Sequence, residues 1–154
     1  MSAKAIPEGF HTITPSLLIN GAAEAIALYQ QAFGAKEEYR LDTPNGKIGH
    51  ACITIGDSKL FLSDADPETC AASNIVPSAS SFYLYFKDAD AQFAQAKKAG
   101  MSELFPVQDM FWGDRMGCLT DKFGIRWTVA THVREVSPQD IEKGMKEMYS
   151  KKAA

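Results

Sequence analysis

Residues 111–131 read FWGDRMGCLTDKFGIRWTVAT, and the fold is decided by how this stretch is parsed. Phe111, Trp112, Asp114 and Arg115 make a loop-like entrance, residues 116–119 follow as a strand, Asp121 to Gly124 supply a turn, and residues 125–131 run on as a second strand. The product is a hairpin with a decorated entrance. Two aromatics beside an acid and an arginine combine apolar area with fixed charge, the material of a ligand site on a rigid scaffold. The same residues also read as a packed loop held by Asp114 next to Arg115. In the second strand Ile125, Trp127 and Val129 share one face while Arg126 and Thr128 share the other. Trp127 is therefore expected under a helix. Arg126 and Arg115 are candidate anion-binding groups, because a guanidinium grips a carboxylate or phosphate in two places, and either also reads as a surface ion pair.

Upstream of the hairpin, residues 81–86 alternate, with Phe82, Leu84 and Phe86 against Ser81, Tyr83 and Tyr85. Asp88 caps a helix whose inner stripe is Ala89, Phe93 and Ala96 and which ends at Gly100; residues 103–107 then form a strand. The first half of the chain carries the same order. Residues 12–19 read as a strand with Ile13, Leu17 and Ile19 on one face and Thr12, Thr14 and Ser16 on the other. Asn20 is the expected cap of a helix in which Ala22, Ala25, Ile26, Tyr29 and Phe33 recur at helical spacing up to Gly34. Strands follow over residues 37–41, 47–55 and 58–63, with turns at Pro44-Asn45-Gly46 and Gly56-Asp57. Gly34 and Gly100 lie 66 residues apart, too long for a solenoid repeat and suited to one duplication of a half-domain. The reading is α+β: residues 1–154 as a single domain, with a βαβββ module at 10–64, a polar connector at 65–80, a second βαβββ module at 81–132 and a helical tail at 133–154. Two halves that each expose a sheet face have reason to pair, and a homodimer is expected.

A chain of 154 residues with 45% hydrophobic and 23% charged residues has the composition of one ordinary globular core. A formal net charge of −3 supplies no broad attraction for a phosphate backbone or an anionic membrane, so nucleic acid and membrane are not expected partners. Cys52, Cys70 and Cys118 are odd in number, without CxxC spacing, and fit a reduced, cytoplasmic setting. Residues 1–9 carry no apolar signal core, and no export or membrane insertion is expected.

The doubled βαβββ order, TPSLLINGAAEAIALYQQAFGA, the GHA of Gly49 to Ala51, the LFLSD of Leu60 to Asp64, the FWGDR loop and the DKFGIRW turn together resemble the vicinal oxygen chelate superfamily of glyoxalases, bleomycin resistance proteins and dioxygenases, and within it the PhnB-like branch. The likeness covers residues 10–132. The tail SPQDIEKGMKEMY is similar to a short helix often appended in that branch, with Ser137 as its cap, Pro138 in its first turn and Ile141, Met145 and Met148 on one face. The resemblance implies cup-shaped mixed sheets, usually completed in a homodimer, with a ligand in the concavity. Enzymes of the superfamily hold a divalent metal there through His or Glu side chains. Laid on this chain by the helix-closing glycines, that pattern falls on Thr14, Ser81, Thr128 and a fourth position within residues 60–64, where only Asp64 is suited to a cation. Hydroxyls are poor ligands for zinc, iron or nickel, so no metal and no cofactor are expected.

His50 lies on the strand face of Ile48, Cys52 and Thr54, where it reads equally as an acid or base near neutral pH and as a half-buried histidine bonded to a carbonyl. His11 and His132 sit at strand ends and read as incidental, with His132 within reach of the rim. The ligand-binding set expected from sequence is thus Thr14, His50, Asp64, Ser81, Tyr83, Phe111, Trp112, Asp114, Arg115, Arg126 and Thr128. The expected function is metal-free binding of a small, partly apolar molecule able to carry negative charge. The alternative is a lyase, isomerase or dioxygenase working through His50 and Asp64. A methyltransferase, the label sometimes inherited in the PhnB-like branch, is disfavoured, because no strand here is followed by a glycine-rich turn opening a helix.

Overall fold

The computed structural model describes residues 5–65 and 80–153, with the side chains of residue 145 and of residues 148–153 left out of account. Most of the connector, with Cys70, lies outside the described residues, as do the side chains of Met145 and Met148. The chain divides into two compact units, Met1–Ser78 and Ala79–Ala154.

The first unit runs β1 (Ser16–Ile19), α1 (Ala22–Phe33), β2 (Lys36–Asp42), β3 (Ile48–Ile55) and β4 (Ser58–Asp64), and its four-stranded sheet has the order β1-β4-β3-β2. The second runs β5 (Ser81–Tyr85), α2 (Ala89–Lys98), β6 (Ser102–Asp109), β7 (Asp114–Thr120) and β8 (Arg126–His132), ordered β5-β8-β7-β6 and followed by α3 (Pro138–Ala153). In each unit the strand before the helix pairs in parallel with the last strand, and the remaining pairs are antiparallel. This is the duplicated βαβββ arrangement expected from sequence. The duplication extends to detail: the edge strands carry a register shift between Glu37 and Tyr39 in β2 and between Glu103 and Phe105 in β6. Tyr39 then faces Cys52 as Phe105 faces Cys118.

Each sheet has a helix side and an open side. In the first unit α1 packs on β3 and β4, burying Ala25, Ile26, Tyr29 and Phe33 with Ala51, Ile53, Leu60 and Leu62. Fully removing Ile26, Phe33, Ile53, Leu60 and Leu62 from water contributes about 1.5–3 kcal/mol each. In the second unit α2 lies on β6, β7 and β8, and its Phe93 comes so close to Gly117 that a Cβ there would sit 2.7 Å from the ring. Val129 and Trp127 share that face by alternation, and Trp127, 1% exposed, stacks on Phe82 at 5.0 Å. The expected orientation of Trp127 and Phe82 on the helix side and Thr128 on the other side holds. The DKFG turn has its own logic. Asp121 Oδ1 accepts from the N–H groups of Phe123 and Ile125, and its Oδ2 accepts from Trp127 Nε1 at 2.8 Å.

Three local expectations need correction. The first strand begins at Ser16 rather than residue 12, because Pro15 has no N–H for the ladder; Ile13, expected on the packed face, is 83% exposed. Asn20 does not cap α1. Gly21 occupies the cap with φ 87°, and the capping acceptor arrives from the end of β4 as the side chain of Asp64. Asp114 and Arg115 are not loop residues; they open β7 and, as neighbours in a strand, point to opposite faces. Asp88 and Ser137 do cap their helices, accepting from Ala91 N and Asp140 N respectively.

Candidate functional site

Asp114 is the centre of the most connected polar cluster on the open side of the second sheet. It is 3% exposed, and its Oδ2 accepts from Tyr83 Oη at 2.7 Å and Tyr85 Oη at 3.0 Å. Its Oδ1 lies 2.8 Å from His132 Nδ1, whose register partner it is at the β7–β8 end. Trp112 hydrogen-bonds Tyr83 in turn, and His132 Nε2 lies 3.3 Å from Glu135 Oε1. Burial pushes the Asp114 carboxyl upward, but bonds from His132, Tyr83 and Tyr85 reverse this and hold it below the ordinary aspartate value. Burial, then the Asp114 bond, raises the Tyr83 phenol well above the usual range and shifts Tyr85 in the same direction. The Asp114 bond raises His132.

The two tyrosine rings stand 5.2 Å apart and stay 42% and 63% exposed, so their hydroxyls are fixed from beneath while their faces are open. Along the same face Ser81 pairs with Arg126 and Tyr83 with Thr128. Thr128 is buried, Arg126 is exposed, and among the described residues the Arg126 side chain makes no ion pair or hydrogen bond.

The remaining parts of the FWGDR motif do structural work. Arg115, read from sequence as an anion binder or a surface ion pair, is the latter: it turns to the α2 side and grips Asp90 through Nε at 2.6 Å and Nη2 at 2.8 Å, with Nη1 on Asp109 at 3.0 Å. It does not pair with Asp114. Phe111 is edge-on to Trp112, with centroids 4.9 Å apart, and lies against α3 so closely that a Cβ on Gly144 would meet its ring at 2.5 Å. Gly113, at φ 104°, accepts from Val133 N and Arg134 N, and an added Cβ would fall 2.1 Å from Arg134 O. Within the motif only Trp112 and Asp114 thus serve the open face.

In the first unit His50 lies on the open side, its Nε2 3.2 Å from Tyr39 Oη and its ring 4.7 Å from Phe61, which also meets Phe10 at 5.7 Å. Asp64 is turned to another task. Its Oδ1 accepts from Gly21 N at 2.9 Å and Ala22 N at 3.0 Å, and its Oδ2 from Ile48 N at 2.8 Å. Burial pushes this carboxyl up; the three backbone donors and Lys47 bring it below the ordinary value. Thr14 precedes β1 and belongs to no strand.

The strand registers fix the fourth position that sequence left open. Ser16 pairs with Phe61 as Tyr83 pairs with Thr128, so Phe61 in β4 matches Thr128 in β8, and Asp64 matches Thr131. Thr131 likewise serves a helix start, accepting from Ala89 N at 2.8 Å. The residues at the positions the resemblance implies are Thr14 and Phe61 in the first unit and Ser81 and Thr128 in the second; none is an imidazole or a carboxylate, and none suits a divalent transition metal. Among the described residues no three His, Cys, Asp or Glu side chains gather as a metal-binding group.

Sequence reasoning missed Tyr85 and His132. The alternation of residues 81–86 had placed Tyr85 beside Tyr83, which was the usable signal. For His132 nothing local revealed the buried acid on the neighbouring strand.

Three comparisons bear on this chain. The family model of the Glyoxalase/Bleomycin resistance protein/Dioxygenase superfamily matches residues 9–129. A protein of Mycobacterium bovis is 34% identical over 138 residues, covering 86% of this chain and 91% of its own. Among solved structures, a Pseudomonas aeruginosa protein superposes with a TM-score of 0.65 at 29% identity, over 80% of this chain and 99% of that one. A Bacillus cereus PhnB protein superposes with a TM-score of 0.61 at 19% identity, over 79% and 99%, a likeness of fold. Among the described residues no helix is long and apolar enough to cross a membrane.

Proposed function

Since this chain belongs to the Glyoxalase/Bleomycin resistance protein/Dioxygenase superfamily, whose model spans residues 9–129, we propose that it binds a small, partly apolar molecule carrying an anionic group, without the metal that the superfamily's enzymes use. The observation that carries this reading is the open face of the second sheet. There two half-exposed tyrosine rings, held by a buried carboxylate, share a strand pair with Arg126, whose guanidinium has no partner among the described residues. Fixed aromatic walls and one cation orient a ligand that has an apolar body and a carboxylate or phosphate. Ser81, the register partner of Arg126, supplies an exposed hydroxyl. His50, on the open face of the first sheet beside Tyr39 and Phe61, offers a second aromatic and hydrogen-bonding surface.

Catalysis through His50 and Asp64 is the weaker reading. Both oxygens of Asp64 are engaged by backbone N–H groups, so it is neither a free base nor a free ligand.

Benzoate and related small aromatic acids test the proposal by thermal shift. At a hundredfold excess over Kd, binding stabilises by about 2.7 kcal/mol. In a chain of this length that raises Tm by about 5–10 °C. Arg126→Ala should abolish the response. An unchanged response in Arg126→Ala, or stoichiometric zinc, nickel, manganese or iron in the purified protein, would overturn the corresponding half of the proposal.

A further inference from the structure

The buried acid beneath the tyrosines dictates what their hydroxyls can offer a ligand. A phenol has one proton, and both Tyr83 and Tyr85 spend theirs on Asp114 Oδ2, at 2.7 Å and 3.0 Å. The carboxylate is 3% exposed, has only lone pairs to offer, and is held ionised by its three partners. Neither phenol can turn its proton outward without leaving a buried charge short of a donor, which is costly. Tyr83 gives a further lone pair to Trp112, while Tyr85, 63% exposed, receives no donor among the described residues. Toward a ligand the pair is therefore an acceptor, bordered by two ring faces, and ring faces attract cations.

We infer that the Tyr83–Tyr85 end of this face is a subsite for a nitrogen donor, an ammonium or amidinium above all, and that with Arg126 at the other end the protein takes zwitterionic ligands. This rests on the binding face proposed above and names the class of molecule it accepts. Two residues of strand separate the Tyr83–Thr128 pair from Arg126, about 7 Å, and four separate Tyr85 from it, about 13 Å. The ligand's charges are spaced within that range. Among the described residues the charged groups facing the subsite are Asp114 beneath it and His132 and Glu135 beside it. As pH rises through the raised pKa of His132, its positive charge leaves, and the attraction for a cation strengthens.

Three probes separate the arms in NMR titrations of the full chain: benzylamine, benzoate and 4-(aminomethyl)benzoate. The zwitterion should bind more tightly than either fragment, with benzylamine shifting Tyr83 and Tyr85 and benzoate shifting Arg126. Tyr85→Phe keeps the ring and removes the acceptor; it should weaken benzylamine about tenfold or more, the worth of a hydrogen bond to a charged group, and leave benzoate unchanged. Asp114→Asn puts an amide donor beneath the phenols and frees a hydroxyl proton outward, so the preference for benzylamine over benzoate should collapse. If Asp114→Asn fails to fold, Tyr85→Phe decides alone. Benzoate binding with benzylamine silent at the tyrosines overturns this inference and leaves the proposed function standing. Benzylamine binding at the tyrosines with benzoate silent at Arg126 supports the donor subsite and overturns the zwitterion class together with the anionic part of the proposed function.

Discussion

Replacing Asp64 by alanine should be among the more damaging single substitutions in the first unit. One side chain closes three backbone N–H groups, those of Gly21 and Ala22 at the start of α1 and that of Ile48 at the start of β3. Losing a helix cap costs about 1–2 kcal/mol. Leaving the Ile48 N–H without its charged acceptor costs about 1–3 kcal/mol more. The sum is about 2–5 kcal/mol, which in a chain of this length lowers Tm by about 4–20 °C. Asp64→Asn should cost about half as much, because one oxygen still serves the helix while the amide nitrogen opposes the Ile48 N–H. Acid supplies an independent check. The folded carboxyl lies below its unfolded value, so its contribution is full above the ordinary aspartate pKa and is lost as pH falls through the depressed one. Both variants should therefore lose less stability than the parent on acidification. Urea denaturation from neutral to acid pH reads all of this. A cost under about 1 kcal/mol for Asp64→Ala, within the range of an ordinary surface change, would refute the capping account.

Trp127→Phe should cost about 2–3 kcal/mol in urea titrations, since it removes the buried indole bond to Asp121 as well as packing volume. Gly113→Ala should cost more than about 2 kcal/mol, because a positive φ and a Cβ 2.1 Å from a carbonyl oxygen coincide there, whereas Gly46→Ala, with open space around it, should show only the backbone strain of its φ of 77°. The chain is expected to sediment as a homodimer, since Leu18, Tyr39 and Leu41 on the first sheet are 39%, 43% and 61% exposed; a monomer at micromolar concentration would count against it.

Periodicity carried the fold where an element buries a face in its own unit: Trp127 and Val129 sit where alternation put them. It failed where a partner comes from far along the chain. Asn20 has the residue type of a cap, but the acceptor that caps α1 is 42 to 43 residues away, and no local pattern encodes that. The site shows the same division. Tyr83, Trp112 and Asp114 were legible as aromatic and acidic residues near one hairpin, whereas the choice for Arg115 between anion binder and ion pair was settled only by the strand beginning at Asp114, which turns Arg115 toward Asp90 and Asp109. His132 looked incidental for the converse reason: its significance lies wholly in the carboxylate opposite it on β7.

The shared irregularity of β2 and β6 has a consequence for the chain in a crowded solution. Both strands lie at the rim of their sheets, where unpaired backbone groups would template a foreign strand and start a fibre. At the matching place each is kinked by an extra residue, and β2 further carries the charged run Lys36, Glu37, Glu38, Arg40 and Asp42. A kinked, charged border cannot lie flat against another, so the same duplication that built two sheets also left both with a rim that discourages polymerisation.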